Sequence, residues 1–491
     1  MSASKDKILR KQQIEAGTDK RSIAAAEEAK KRRKSNIQYA VIGALLVVFF
    51  AFIFIYNSAL PSKLTKAVTI DGEDYSVAQM NYYYSSSYNS FYNNYYSYIS
   101  YGLFFDTSTS LDDQMYSEDM TWREYFLESA LDNMTEIQVL NKAAEEAGFV
   151  LSDEDQAAYE NAIASIETSW SDLGYSSLEQ YINMNYGKGV TLDLVKEELY
   201  RTYVASAYAQ AVYDGYEYTD EEVAAYYAEH ADENDMISYA YYVDSEGVID
   251  AAAIADAVNG TDEETFTAYM EENYGDIVPS TVTYAGSNLP ELYAEWLLDP
   301  ARTAGDAANF EEDDTTTAVV MFLDRDANDY EPVSFRHILI QAVDADEDGE
   351  FSQEEIDAAA AQAEEIYAEW QAGAADEDSF AQLANLYSED SGSNTTGGLY
   401  ETVIRNQMVE PINDWLFDAA RQPGDTEVLS YSGANYTGTH VVYFVGTDDT
   451  TYAHSLADSA LRNEAYSDWM AAAEEAAVVV RHHMGMCGKN H

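Results

Sequence analysis

The sequence predicts an α+β protein with a single N-terminal transmembrane helix, a helical domain, two tandem α+β units and a C-terminal helix. Three observations lead to this prediction. Residues 37–56 form an apolar run without a charge, residues 67–230 space their apolar side chains as helices do, and residues 231–330 resemble residues 331–448. A chain of 491 residues is also too long for one ordinary core, so several domains are expected.

The charge of the chain is distributed very unevenly. Residues 1–34 hold 11 Lys and Arg against 5 Asp and Glu, whereas the remainder holds 15 against 84. A surface this acidic repels nucleic acid, so we expect no DNA or RNA partner. The single cysteine, Cys487, excludes an internal disulfide framework.

The apolar run at residues 37–56, IQYAVIGALLVVFFAFIFIY, has the length of a membrane span. About 20 residues at a rise of 1.5 Å match a hydrocarbon core of about 30 Å. The basic cluster Lys30–Lys34 precedes it, which predicts that residues 1–36 are cytoplasmic and that the bulk of the chain lies outside the cytoplasm. The alternative is a cleaved signal peptide, but its apolar region is usually about 7–15 residues, so an uncleaved single-pass anchor in the cell membrane is favoured.

Helical signals dominate residues 67–230 and return near the C-terminus. Ser152 and Thr219 each precede a run of acidic residues, which is typical of a helix N-cap followed by its first turn. Residues 449–481 predict a final helix. The tail at 482–491 contains His, Met and Cys side chains that could bind a metal, but they have no fixed spacing, so we expect a disordered tail.

An internal repeat relates two units, which we call the first repeat (231–330) and the second repeat (331–448). Residues 294–306, AEWLLDPARTAGD, align without gaps to 413–425, NDWLFDAARQPGD, and 317–322 align to 439–444. In this alignment Ala240 stands opposite His337, and Ala318 stands opposite His440. The first repeat therefore lacks both histidines of the second.

Two strands of the second repeat are predicted to bring its histidines together. In 335–341, side chains alternate so that His337 shares a face with Phe335 and Leu339. In 439–445, His440 shares a face with Val442 and Phe444. Three helical patterns and a strand candidate at 398–404 lie between these strands, which is the order of an α+β sandwich.

The second repeat resembles a known family, the parvulin-type peptidyl-prolyl isomerases. The matching stretches span about 110 residues in the family's order. They are Phe335-Arg336-His337-Ile338-Leu339, Tyr387-Ser388-Glu389-Asp390, Ser391-Gly392-Ser393, Gly397-Gly398-Leu399, Gln407-Met408-Val409, Phe417-Asp418, Pro423-Gly424-Asp425 and Gly438-Thr439-His440-Val441-Val442.

The resemblance implies rotation about X–Pro bonds in polypeptide substrates, without a cofactor. The barrier is about 18–20 kcal/mol because the amide is resonance-stabilised. By position, the resemblance gives catalytic roles to His337, Asp390, His440 and Thr437. It gives the substrate pocket to Leu339, Met408, Ile412 and Phe444, with Ile412 standing where the family commonly has Phe. The first repeat is then expected to have a parvulin-like fold without isomerase activity.

Residues 67–230 resemble, more diffusely, the N-terminal chaperone regions of exported foldases of the SurA and PrsA kind. Many of the 42 tyrosines of the chain cluster between Tyr82 and Tyr101. Such a cluster forms either a soft amphipathic surface for unfolded chains or part of a core. The sequence leaves both alternatives open.

Residues 344–355 match the calcium-loop pattern D-x-D-x-D-G-x5-E at every required position. The predicted ligands are the side chains of Asp344, Asp346, Asp348 and Glu355, and the carbonyl of Glu350. Gly349 would make the sharp turn. The alternative is a solvated acidic loop in an acidic chain. A strand is predicted before residues 344–355, whereas the usual calcium-binding motif has a helix there.

Together these features predict an extracytoplasmic foldase that isomerises X–Pro bonds in exported polypeptides and also holds unfolded chains. The alternative is a catalytically silent chaperone whose parvulin-like units only bind peptides. A third possibility, a calcium-stiffened surface adhesin, depends on the acidic loop.

Overall fold

The computed structural model describes residues 3–16, 20–275, 277–312, 316–345, 349, 351–433 and 436–488. The chain divides into two compact units. The terminal unit consists of Met1–Gly215 and Tyr466–His491, and the central unit consists of Tyr216–Ala465.

Helices and strands follow one another along the chain, with the strands concentrated in the central unit. The first nine helices are α1 (Ala3–Glu15), α2 (Lys20–Asn57), α3 (Leu60–Leu64), α4 (Val77–Asn94), α5 (Tyr96–Ser100), α6 (Trp122–Ala147), α7 (Asp153–Ser169), α8 (Leu178–Tyr186) and α9 (Leu192–Asp214). They are followed by α10 (Asp220–Glu229), α11 (Ala231–Asn234), α12 (Ala251–Val258), α13 (Glu263–Tyr274), α14 (Glu291–Leu298), α15 (Gln353–Ala372), α16 (Glu377–Tyr387), α17 (Glu410–Leu416) and α18 (Tyr452–Ala476). The strands are β1 (Lys66–Ile70), β2 (Glu73–Ser76), β3 (Met236–Asp244), β4 (Ser280–Ala285), β5 (Ala307–Glu311), β6 (Thr317–Asp326), β7 (Val333–Gln341), β8 (Leu399–Val403), β9 (Thr426–Ser432), β10 (Thr437–Thr447) and β11 (Val479–Arg481). The α+β class predicted from the sequence is confirmed.

The apolar run lies inside α2. Within this helix, Lys30–Ile55 is long and apolar enough to cross a membrane. Its most apolar stretch is not buried against other described parts of the chain. Length and composition of this kind fit either an anchor or a signal sequence.

The terminal unit has a core rich in aromatic side chains. The predicted N-cap at Ser152 is present, since its side chain accepts from the N–H of Asp155. Part of the tyrosine cluster lies in the core and part lies on the surface. Tyr82, Tyr83 and Tyr84 are buried, whereas Tyr96, Tyr98 and Tyr101 are exposed.

The C-terminal tail is ordered through residue 488, so the prediction of a disordered tail was wrong there. Strand β11 pairs antiparallel with β1, and β1 pairs with β2. Beyond it, Cys487 is fully buried in the core and its carbonyl accepts from the Arg123 guanidinium. The sequence showed no periodicity here because the segment is short and its partners are distant in sequence.

The central unit contains two antiparallel four-stranded sheets with the same strand order. The first sheet has the order β4-β3-β6-β5 and the second has the order β8-β7-β10-β9. In each, the two longest strands lie in the middle and pair with each other. The edge strand β9, which the sequence analysis missed, is half-exposed and has a weak alternation of apolar residues. The N-cap predicted at Thr219 is also present, as a capping box with Glu222 ahead of α10.

The sheet registers correct one position of the sequence alignment. Phe322 pairs with Tyr239, as Phe444 pairs with Phe335, and both Phe322 and Phe444 exchange hydrogen bonds with a Gly-Asp turn. Tyr241, opposite Val320, therefore corresponds to His337, opposite Val442. The aligned Ala240 lies on the other face of its sheet, because a slip of one residue reverses the face of a strand.

Helices cover both faces of the second sheet. On one face, Ile338, Ile340 and Val441 pack against α15 and α16. On the other, Phe335, Val442 and Phe444 pack against α17. The histidines belong to this second face, as the alternation predicted.

Candidate active site

His337 and His440 meet on the two central strands of the second sheet. Strands β7 and β10 are antiparallel, with Val442 opposite His337 and Leu339 opposite His440. The histidines are thus diagonal neighbours on one face. Their rings are stacked, with centroids 5.3 Å apart and planes at 11°, and their Nδ1 atoms are 3.1 Å apart.

Asp390 completes this arrangement from the loop that follows α16. Its Oδ2 lies 2.9 Å from His337 Nε2. The carboxylate also accepts from the hydroxyls of Ser393 and Tyr400 and from the N–H of Gly392. These donors, with His337 first among them, hold the pKa of Asp390 well below its usual range.

The loop carrying Asp390 is attached to β7 through its backbone. The N–H of Glu389 donates to the Leu339 carbonyl at 2.9 Å, and the N–H of His337 donates to the Gly398 carbonyl at 2.9 Å. Gly398 has a φ of +71°, and a Cβ at this position would lie 2.2 Å from the His337 carbonyl oxygen. The close approach of loop and strand therefore requires glycine.

Arg336, on the opposite face of β7 from His337, fixes the end of the same loop. It donates to the carbonyls of Thr396 and Gly397 and forms an ion pair with Glu377 at 3.0 Å. The segment that positions Asp390 is thus held from both sides of the strand.

Tyr436 continues the hydrogen-bonded chain beyond His440. Its hydroxyl oxygen lies 3.0 Å from His440 Nε2. An ionised Asp390 accepts only, so His337 donates to it through Nε2–H. The two facing Nδ1 atoms share one hydrogen bond, and His440 Nε2 shares another with the Tyr436 hydroxyl.

Burial strengthens the neutral state of His440. The side chains of His337 and His440 are only 6% and 2% exposed. Burial, reinforced by the neighbouring His337, lowers the pKa of His440 to about 3. A cation at this position would lose its hydration, and the charge of Asp390 offsets only part of that cost.

The predicted substrate-pocket residues lie on the histidine face. Ile412 and Phe444 are each 2% exposed and belong to one apolar cluster, which Met408 joins from a partly exposed position. Leu339 is buried next to His440 across the strand pair. Of these four, Met408 is the side chain that reaches the surface.

Thr437 does not contact either histidine. Its hydroxyl lies 3.1 Å from Ser432 Oγ on the adjacent strand β9. The hydroxyl partner of His440 is that of Tyr436, one residue earlier. The role that the resemblance gives to Thr437 stays a prediction, and among the described residues it is the Tyr436 hydroxyl that is hydrogen-bonded to His440.

Sequence reasoning missed Tyr400 and Tyr436 as members of the site. Tyr400 pairs with Phe335 across β8 and β7, two residues from His337. That pairing is a tertiary fact, and a tyrosine in a chain with 42 of them gives no separate signal.

The first repeat has no equivalent of this network at the positions that correspond to the two histidines. Tyr241 stands where the second repeat has His337, and Ala318 stands where it has His440. Ala318 is fully buried among apolar side chains.

Three predicted calcium ligands, Asp346, Asp348 and Glu350, lie outside the described residues. Gly349 has a φ of +87° and donates its N–H to Asp344 at 2.9 Å. The Glu355 carboxylate accepts from the N–H groups of Ala345 and Ser352, as part of the capping box of α15. Calcium binding stays a prediction.

The fold and the site define the class of the second repeat: an antiparallel sheet with paired central histidines and a carboxylate, as in parvulins. Residues 319–444 match the family model of the PPIC-type PPIASE domain. The matched stretch starts within β6, at the end of the first repeat.

Comparison with solved structures found similar chains among PrsA proteins and SurA-like chaperones. The foldase protein PrsA from Streptococcus pneumoniae is 12% identical, with 74% of this chain and 93% of that chain covered and a TM-score of 0.27. PrsA from Bacillus subtilis is 13% identical, with 75% and 93% covered and a TM-score of 0.29. A SurA-like chaperone from Campylobacter jejuni is 10% identical, with 53% and 82% covered and a TM-score of 0.17.

Comparison with curated proteins found no match. The family assignment therefore depends on the domain match at 319–444 together with the geometry of the site.

Proposed function

We propose that this protein is a membrane-anchored, extracytoplasmic foldase that catalyses cis–trans isomerisation of X–Pro bonds in exported polypeptides. One observation carries the proposal: the chain Tyr436–His440–His337–Asp390, hydrogen-bonded throughout, lies on the same sheet face as the apolar cluster of Met408, Ile412 and Phe444 in the PPIC-type domain.

The arrangement suits rotation about an amide bond. Apolar side chains such as Met408, Ile412 and Phe444 remove water from the proline and its amide, and this disfavours the polar planar ground state. A neutral His440 adds no charge to this face of the sheet, while the charge of Asp390 is held by its own donors. Rotation needs no bond to be made or broken, so no cofactor enters the step.

The test is isomerisation of short X–Pro peptides by the full chain in detergent micelles, followed by exchange NMR without a coupled protease. We expect acceleration by the wild type and a loss of at least about tenfold in His440→Ala, since this change interrupts the hydrogen-bonded chain of the site in its middle. His454→Ala, a partly exposed histidine of α18, serves as the matched control and should keep full activity. Absence of acceleration in folded wild-type protein would refute the proposal.

The membrane anchor and the location outside the cytoplasm belong to the same proposal. They are supported by the apolar helix at Lys30–Ile55 and by the basic residues that precede residue 37. Added protease should digest the acidic part of the chain in intact cells stripped of their wall, and should leave an N-terminal fragment in the membrane. Full protection of the chain would contradict this topology.

A second candidate is a silent chaperone in which the PPIC-type domain only binds peptides. The near-complete burial of both histidines and of Ile412 favours it, since substrate must reach them. The test is whether the chain suppresses aggregation of an unfolded protein. Equal suppression by the wild type and by His440→Ala, with no isomerisation by either, would favour this candidate over the first.

A further inference from the structure

The short helix α3 presents leucines to its surroundings and a small polar residue to the interior. Leu60 and Leu64 are 46% and 76% exposed, whereas Ser62 is buried. Residues four apart share one side of a helix, and Ser62 lies on the other side. A helix on a water-facing surface has the reverse arrangement, with its apolar residues toward the core. The outward side of α3 therefore suits an apolar environment better than water.

Packing against two neighbouring segments fixes this orientation of α3. Gly189, in the loop between α8 and α9, has a φ of +93°, and a Cβ there would lie 2.8 Å from the Ser62 Cβ and 3.2 Å from the Ala78 Cβ. The N–H of Val77 donates to the Thr65 carbonyl at 2.8 Å, which joins the end of α3 to the start of α4. Turning the leucines inward would break these contacts.

The short connection between the apolar run and α3 limits where the leucines lie. The run ends at residue 56, and Leu60 follows four residues later. Four residues extend at most about 14 Å, and the head-group layer on each side of the hydrocarbon core is about 5–8 Å thick. With the apolar run of α2 in a bilayer, Leu60 and Leu64 lie in this layer or next to it.

The charge around α3 differs from that of the remaining chain. Residues 57–70 hold two lysines and no acidic residue, whereas the chain after residue 34 holds 15 Lys and Arg against 84 Asp and Glu. Lys66 is paired with Asp74 at 2.5 Å. Lys63 is exposed and forms no ion pair among the described residues, although Glu179 lines the same cavity. The Lys63 ammonium is therefore available to an anion outside the chain.

We propose that the outward side of α3 docks on the bilayer, with Leu60 and Leu64 among the upper acyl chains and the Lys63 ammonium on the phosphate of an anionic phospholipid. Apolar residues beside a lysine are typical of helices that lie in a membrane interface. A lysine stem packs on apolar surface while its charge stays at the phosphates. The inference rests on the proposed membrane anchor and is independent of isomerase activity.

The test uses the full chain reconstituted in phosphatidylcholine vesicles, with and without phosphatidylglycerol. A fluorophore on Leu64→Cys reports contact with lipid through quenching by phospholipids that carry a nitroxide. The native Cys487 is buried, and wild type treated with the same reagent measures background labelling. We expect a loss of fluorescence at Leu64→Cys. Leu103→Cys, an exposed leucine beyond the far end of α4, is the matched control and should keep its fluorescence, because α4 is about 27 Å long.

Lys63→Gln, measured with the same fluorophore, tests the contact with phosphate. Quenching by nitroxide phosphatidylglycerol, compared with nitroxide phosphatidylcholine, gives the relative affinity of the two lipids beside residue 64. One lysine near an anionic surface contributes about fivefold. The preference for phosphatidylglycerol should therefore fall about fivefold in Lys63→Gln. It should stay unchanged in Lys196→Gln, whose lysine is already paired with Glu167.

Flotation of the vesicles measures anchoring separately from docking. A chain that floats with the vesicles but keeps full fluorescence at Leu64→Cys would overturn the docking and leave the anchor in place. A chain that does not float would refute the anchor and the docking together. An equal lipid preference in Lys63→Gln and in the unchanged Lys63 protein would overturn the contact with phosphate. Fluorescence at Leu64→Cys that changes with an added unfolded polypeptide, but not with nitroxide lipid, would assign the leucines to a client instead.

Discussion

At the scale of single residues, the main result is that the two histidines belong to one hydrogen-bonded chain. Asp390 holds a proton of His337 on Nε2, the two histidines meet through their Nδ1 atoms, and His440 Nε2 meets the Tyr436 hydroxyl. The carboxylate is thus connected to groups that it does not touch. This is a property of the connected network rather than of any one residue.

The neutral state of His440 predicts a specific dependence of stability on pH. Unfolded chain takes up a proton near pH 6.5, whereas the folded chain does so only near pH 3. Between these values the unfolded state binds more protons, so stability is fully present above pH 6.5 and falls as the pH falls, by about 1.4 kcal/mol per pH unit.

The measurement compares thermal unfolding of the central unit at pH 7 and pH 5 in the wild type and in His440→Asn. The wild type should lose about 2 kcal/mol more than the variant between these values. An imidazole signal of His440 that titrates near pH 6.5 in the folded protein would contradict the assignment.

At the scale of elements, the loop between α16 and β8 decides where the carboxylate sits. It is hydrogen-bonded to β7 at Glu389 and at Gly398, and Arg336 holds its end. The strand that carries His337 therefore also positions the partner of His337. Displacing the loop would separate the Asp390 carboxylate from the His337 ring without changing either side chain.

Gly398→Ala should destabilise the central unit by at least about 2 kcal/mol, because it combines a left-handed φ with a Cβ too close to the His337 carbonyl. Chemical denaturation measures the change. Gly446→Ala, in β10 with no atom within 4 Å of the added Cβ, is the matched control and should change stability little. Equal stability of the two variants would mean that the loop does not approach the strand this closely.

The acidic segment before α15 supports a separate prediction about Ca²⁺. Gly349, at the turn position of the pattern, has a positive φ and donates its N–H to Asp344. Calorimetry should detect Ca²⁺ binding to the wild type and its loss in Asp348→Ala. Identical heats in the two proteins would leave a solvated acidic loop whose Glu355 serves only as a helix cap.

At the scale of the whole molecule, segments from both ends of the chain build the terminal unit. Strand β11 lies beside β1, and Arg481 forms an ion pair with Glu128 at 2.6 Å. Cys487 is fully buried beyond it. The terminal unit can therefore be complete only after the central unit, which lies between its two parts in sequence, has been made.

Burial of Cys487 gives a direct test of this closure. Burial raises the pKa of its thiol to about 12, so the folded chain should react with iodoacetamide at least about a hundredfold more slowly than the chain in denaturant. A peptide with the sequence Met-Gly-Met-Cys-Gly gives the rate of the free thiol. A folded chain that reacts as fast as the peptide would show that the tail is not packed.

The sequence by itself determined several helix starts, the apolar helix, the repeat, the two central strands of the second repeat, and the residue types of the site. These follow from local patterns: alternation placed His337 and His440 on particular faces, and capping residues such as Ser152 and Thr219 marked helix starts. They can be predicted because a strand or helix imposes its period on its own residues.

Only the tertiary structure decided the partners of those residues. It placed the Tyr436 hydroxyl beside His440, moved the counterpart of His337 from Ala240 to Tyr241, and packed Cys487 into a core. Strand register, the path of a loop and the docking of a tail depend on contacts between residues that are far apart in sequence. A local sequence pattern does not show such contacts. The contacts nevertheless determine the hydrogen-bond partners, the burial and the pKa of each site residue.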